Sequence, residues 1–97
     1  MRINDADTEG RTGLMEASIH NKVKICKYFL LHGALVNTGD NYGVTALMGA
    51  CIVGNLFIAH LLHGRGADVN MMDIHGYTAL MRTCSRGLTV VAIFLFG

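Results

Sequence analysis

Apolar positions along this chain fall into paired short runs separated by polar, glycine-rich breaks, and the pairs recur. In the middle, a run from Ala46 to Val53 stops at Gly54-Asn55, and a second run, Leu56 to His63, stops at Gly64-Arg65-Gly66. Runs of this length bounded by glycine predict short helices, because glycine tolerates the positive φ with which a helix ends. Thr45 is placed to accept a backbone N–H as the N-cap of the first helix, and the cluster Asp40-Asn41-Tyr42-Gly43 before it predicts a turn. The predicted unit is therefore turn, short helix, turn, second helix.

The unit repeats. Gly10, Gly43 and Gly76 are spaced by 33 residues, and the same step links Asn4, Asn37 and Asn70; Asp7, Asp40 and Asp73; Thr12, Thr45 and Thr78; Leu14, Leu47 and Leu80; Met15, Met48 and Met81. Gly33-Ala34 and Gly66-Ala67 keep the register with no insertion. Helices this short are unstable alone, so their stability must come from neighbouring hairpins stacking apolar faces. Equivalent side chains then pile into columns, and Leu14, Leu47 and Leu80 are expected to share one interior. A period of 33 puts one Asp of the Asp ladder in each successive loop, which reads as turn formation rather than paired-carboxylate chemistry.

One rival reading is a membrane span. Val44 to Leu62 is 19 residues without Asp, Glu, Lys or Arg, near the length that crosses a bilayer. Gly54-Asn55 interrupts it where Asn21-Lys22 and Gly87-Leu88 interrupt the other units, so two helices explain it better than one. Composition agrees: 52% hydrophobic and 15% charged residues in a chain of 97 supply one core and no second domain. A formal net charge of +1 with scattered Lys and Arg leaves no footprint for nucleic acid. Three cysteines cannot close a disulfide framework, and residues 1–10 lack the apolar stretch of a secretory signal. A cytoplasmic or nuclear setting with reduced thiols is expected.

The run Asp40-x-x-Gly43-x-Thr45-Ala46-Leu47-Met48-x-Ala50, then Gly54, Leu61-Leu62 and Gly66-Ala67-Asp68-Val69-Asn70, resembles the ankyrin repeat. The resemblance spans the chain, with a helix-opening T-P-L-H-x-A signature seen as Thr12-Gly13-Leu14-Met15, Thr45-Ala46-Leu47-Met48 and Thr78-Ala79-Leu80-Met81. It implies an all-α solenoid of stacked helix-turn-helix units with β-turn or hairpin loops: one domain over residues 1–97, with repeats at about 4–36, 37–69 and 70–97, the last incomplete. Two departures recur. The family's Pro is Gly13, Ala46 or Ala79, which removes about 0.4 to 1 kcal/mol per site, and the family's His is Met15, Met48 or Met81, which exchanges imidazole bonding for adaptable packing. Incomplete units at both ends lead to two expectations: a segment of a longer array, and self-association through uncapped ends.

By the same resemblance, loop tips and inner-helix ends form a concave surface that holds a protein partner. Carried over position by position, the contact candidates are Arg11, His20, Tyr42, Val44, Ile52, Val53, Ile74, Tyr77 and Arg86, with Tyr and Arg the types that most often anchor interfaces. A second apolar surface is expected on the outer helices, where Lys24 and Lys27 give way to Phe57 and His60, then to Val90 and Ile93. The alternative is a structural spacer within a longer array, with no binding site of its own.

Cysteines and histidines add little chemistry. Cys51 and Cys84 are equivalent positions on helices expected 8 to 10 Å apart, beyond disulfide reach, and Cys26 aligns with Ala59 and Ala92; all three read as small packing residues. His60 and His63 supply two of the four ligands a structural zinc requires, so no metal and no cofactor are expected. G-x-S-x-G, H-E-x-x-H and P-loop motifs are absent, and Gly64-Arg65-Gly66 follows a helix where a dinucleotide fingerprint opens one. The sequence reads as a non-enzymatic interaction module.

Overall fold

The computed structural model describes residues 2–85, with side chains through residue 83. Five helices follow in order: α1 Gly13–Ile19, α2 Val23–Leu31, α3 Ala46–Val53, α4 Leu56–Gly64 and α5 Ala79–Ser85. α1 pairs with α2 and α3 with α4 as hairpins, while α1, α3 and α5 pack side by side. Among the described residues there is no sheet; Ala6 and Thr12 make one isolated antiparallel bridge across the first loop. No described helix is long and apolar enough to cross a membrane, because the expected break at Gly54 is real: this residue ends α3 with φ 79°.

The three threonines act as one device. Thr12, Thr45 and Thr78 each accept the backbone N–H three residues on, at 3.4, 3.3 and 3.3 Å, satisfying an N–H that the first helical turn leaves orphaned. The methionine ladder corrects one expectation. The Met15 sulfur sits 3.4 Å from the Thr12 backbone N–H and accepts from it, so the thioether takes up, weakly, a polar bond at the helix start as well as filling space. Gly13 also has a reason beyond the missing proline. The Phe29 ring fills the space a Cβ would need, its Cζ closer to that position than any side chain could tolerate.

Buried Leu14, Met15, Leu47, Met48, Ile58 and Leu62 form the centre of one core. The leucine column does not extend through the third unit as expected. Leu47 is 1% exposed, but Leu80 is 41% and Met81 48%. Leu47 belongs to α3, which packs against α1, α4 and α5, whereas among the described residues α5 packs chiefly against α3. Cys26 and Cys51 are free and fully buried, as expected of packing residues. Burial pushes both thiols up, against the lowering effect of hydrogen bonds with Ser18 and Thr83. The Cys84 side chain lies outside the described residues.

Side-chain amides tie successive units together. Asn4 Oδ1 accepts from Leu35 N at 2.8 Å and its Nδ2 donates to Gly33 O; Asn37 repeats the arrangement with Asp68 N at 2.7 Å and Gly66 O. Asn55, opening α4, donates to Ser18 O at 2.8 Å and Ile19 O at 3.1 Å, closing carbonyls at the C-terminal end of α1 that would otherwise lack partners. Asn55→Ala leaves those half-buried carbonyls unpaired and is expected to lower stability by about 1 to 2 kcal/mol. Urea denaturation followed by circular dichroism measures it, and an unchanged midpoint would show the bonds to be idle.

Candidate functional site

Every loop on the concave side is folded by its aspartate. Asp7 Oδ1 accepts from Glu9 N and Arg11 N, both at 2.9 Å; Asp40 Oδ1 from Tyr42 N and Val44 N at 2.8 and 2.9 Å; Asp73 Oδ1 from His75 N and Tyr77 N at 2.9 and 3.0 Å. Behind each aspartate the chain reverses through Gly10, Gly43 or Gly76 at φ 76 to 79°, a region side chains with a Cβ avoid. Neighbouring loops bond directly: Asn41 N donates to Glu9 O and Ile74 N to Tyr42 O, each at 3.0 Å. The loops therefore stand in a fixed row, and the residues on their tips are presented in register.

Between this row and the inner helices runs a groove of ≈ 320 Å³ lined by residues of all three units. Ile19, Ile52 and Val53 from the ends of α1 and α3, with Val44 and Tyr42 from the second loop, make its lining mainly apolar. Gly49 lies in its floor on α3, where the equivalent positions in α1 and α5 are Glu16 and Arg82. A Cβ at Gly49 would stand 3.2 Å from Ile19 Cγ1, so the absence of a side chain is what opens the middle of the groove.

Charge is held at the two ends. Toward the first unit, Arg11 pairs with Glu9 at 2.9 Å and lies 3.7 Å from Glu16, while His20 reaches Glu16 at 3.4 Å. These pairs are substantially exposed and contribute little to stability. Toward the third unit, Arg82 pairs with Asp73, whose side chain is wholly buried, and the guanidinium lies 4.4 Å from the centre of the Tyr77 ring. Burial acts to raise the pKa of Asp73, but the Arg82 guanidinium and the N–H groups of Tyr77 and His75 outweigh it and hold the carboxyl below the usual range.

Of the residues expected from the sequence, Arg11, Tyr42, Val44, Ile52 and Val53 line the groove together. His20 does not; it lies on the other side of α1 with Glu16, Lys22 and Ile25. Ile74 and Tyr77 are exposed on the third loop beside the groove, and Arg86 lies outside the described residues. Sequence reasoning missed Asp40, Gly49, Asp73 and Arg82. The signal for two of these was present in the step of 33: position 49 breaks an otherwise charged series of Glu16 and Arg82.

On the outer helices Phe57 and His60 are exposed, and Val90 and Ile93 lie outside the described residues. The described neighbour of Phe57 is Lys27 of the preceding unit, its ammonium 5.7 Å from the ring centre. Exposed apolar surface begins earlier than expected, with Ile25, Tyr28 and Leu31 on α2. Among the described residues no three His, Cys, Asp or Glu side chains gather as a metal site.

A family model described as ankyrin repeats (3 copies) matches residues 1–73. No curated protein matches the chain.

Proposed function

The chain belongs to the ankyrin-repeat family, and from that premise we propose that it is a non-enzymatic module docking a protein partner in the concave groove. Ankyrin repeats are generally protein–protein interaction modules and typically not enzymes. The observation that carries the reading to this groove is its lining: Tyr42, Val44, Ile52 and Val53 converge from a loop and a helix end onto one largely apolar trough, whose charged lining residues Arg11, Asp40, Asp73 and Arg82 are each already engaged in ion pairs or loop hydrogen bonds. That is the arrangement in which a few buried anchors supply most binding energy inside a polar rim. Arg11 belongs to the same contact surface, and the exposed Ile74 and Tyr77 of the third loop to its margin. The reading carries an intracellular setting, in which Cys26 and Cys51 stay reduced.

The test is affinity capture with wild-type chain and the Ile52→Glu variant side by side. A carboxylate in the groove is expected to weaken capture of the specific partner at least tenfold, which corresponds to about 1.4 kcal/mol. Equal capture by both chains would refute the groove as the docking surface.

A second reading, a spacer within a longer array, is favoured by one observation: Leu80 and Met81 present apolar surface on α5 at positions whose equivalents in α3, Leu47 and Met48, are buried. A spacer would be indifferent to Ile52→Glu and to Tyr42→Ala, so the same experiment separates the two.

A further inference from the structure

Resting on the groove reading above, we infer that the partner is a peptide segment that seats one apolar side chain over Gly49 and places a Lys or Arg over the acidic first loop. Gly49 is the foundation of the first half. Its counterparts Glu16 and Arg82 project charged side chains from the same helical position, and Arg82 lines the groove; with glycine between them, the middle of the trough is a socket floored by backbone and walled by Ile19, Ile52 and Val44. Arg11 and Asp40 also line this part of the trough, but Arg11 is paired with Glu9, Asp40 accepts from the N–H groups of its own loop and Arg82 is matched by Asp73, so a charge lowered into it would lose water for little return. An aliphatic or methionine side chain suffers no such loss.

Charge distribution supplies the second half. Residues 2–16 and Asp40 together hold five carboxylates, Asp5, Asp7, Glu9, Glu16 and Asp40, against the two guanidinium groups of Arg2 and Arg11. The lysines of the first unit, Lys22, Lys24 and Lys27, are instead at the start of α2 and along it. A hollow of ≈ 300 Å³ lined by Asp5, Asp7, Arg11 and Glu16 shares Arg11 with the groove. The groove's first-unit end is therefore electronegative, while its third-unit end is closed by a matched pair. Such a field attracts a cation at one end only, which fixes the direction in which the segment lies.

The probe is a phage-displayed library of random twelve-residue peptides selected against the 97-residue chain. Selected peptides are expected to share one Leu, Ile, Met or Phe position together with a Lys or Arg. Their affinity should fall tenfold or more for Gly49→Arg, fall severalfold for the exposed pair Glu9→Lys/Glu16→Lys, and weaken as salt rises from about 0.1 M to about 1 M. The paired lysine variant changes only exposed side chains, so it tests the inference even if Gly49→Arg disturbs folding, which circular dichroism would reveal. A failure to select any binder, an acidic consensus, or undiminished binding to a folded Gly49→Arg chain overturns the inference. Should Ile52→Glu abolish binding while Gly49→Arg and the lysine pair do not, the groove stands and this inference falls; should none of the variants matter, both fall.

Discussion

Leu47→Ala is expected to lower the stability of the chain by about 3 to 4 kcal/mol. Leu47 lies at the middle of the molecule, 1% exposed, on the helix that packs against α1, α4 and α5 at once. Truncation removes buried methyl groups and leaves a cavity whose walls are three helices already fixed by their loops, so little collapse can relieve it. In a stack whose stability is a sum of unit and interface terms, a loss of that size at the central unit removes a large share of the total expected for a chain of this length, about 5 to 15 kcal/mol. Urea denaturation read by circular dichroism is the measurement, with Leu47→Met as a volume-conserving control costing less than about 1.5 kcal/mol. A loss below about 1 kcal/mol for the alanine variant would mean that the leucine column is not the core.

Arg82→Met should cost nearly as much, about 3 kcal/mol at neutral pH, because it strands the buried Asp73 carboxylate without its cation. The cost falls at the low end of what breaking a buried pair entails, since the N–H groups of His75 and Tyr77 continue to donate to Asp73 Oδ1. In the wild-type chain the carboxyl is held below its ordinary value. Its contribution is thus fully present above the unfolded pKa of about 3.9 and is lost as pH falls through the lower folded value. Without the guanidinium, burial is opposed only by the two loop N–H groups, and the carboxyl takes up a proton at higher pH than before. The deficit of Arg82→Met is therefore expected to be largest near neutral pH and to shrink as pH falls, vanishing only below the lowered folded value of the wild-type carboxyl, where neither protein carries the charge. Asp73→Asn in the Arg82→Met background should recover part of the loss at neutral pH, because the amide oxygen still accepts both loop N–H groups. A deficit independent of pH would show that Arg82 acts through packing on Tyr77 and not through its charge.

The loop aspartates, capping threonines and positive-φ glycines were legible because each acts within four residues of itself, so their spacing alone states what they bond. The inter-unit role of Asn4, Asn37 and Asn55 was not legible: the partners of Asn55 lie 37 and 36 residues away, and an asparagine at a turn has local explanations enough. Five of the groove residues were found through the family resemblance. His20 was carried with them because it ends the same helix as Ile19, but one residue along a helix turns the side chain by about 100°, and it faces Glu16 on the other side. Gly49 and Arg82 escaped attention because they are variations on a repeat, and attention to what recurs passes over what differs.

By itself the sequence determined the period, the caps, the loop geometry and the order of the helices, since these depend on bonds between near neighbours and on an apolar pattern that allows one way of stacking. Tertiary structure decided which equivalents are equal in fact. Leu14, Leu47 and Leu80 have the same local sequence setting, but the first two are buried and the third is exposed, because burial depends on what packs over a side chain and not on its neighbours in sequence. Likewise Gly49 and Arg82 come to line one groove, the glycine opening its middle, only when helices are set side by side, because a groove is a property of the space between elements and not of any one of them.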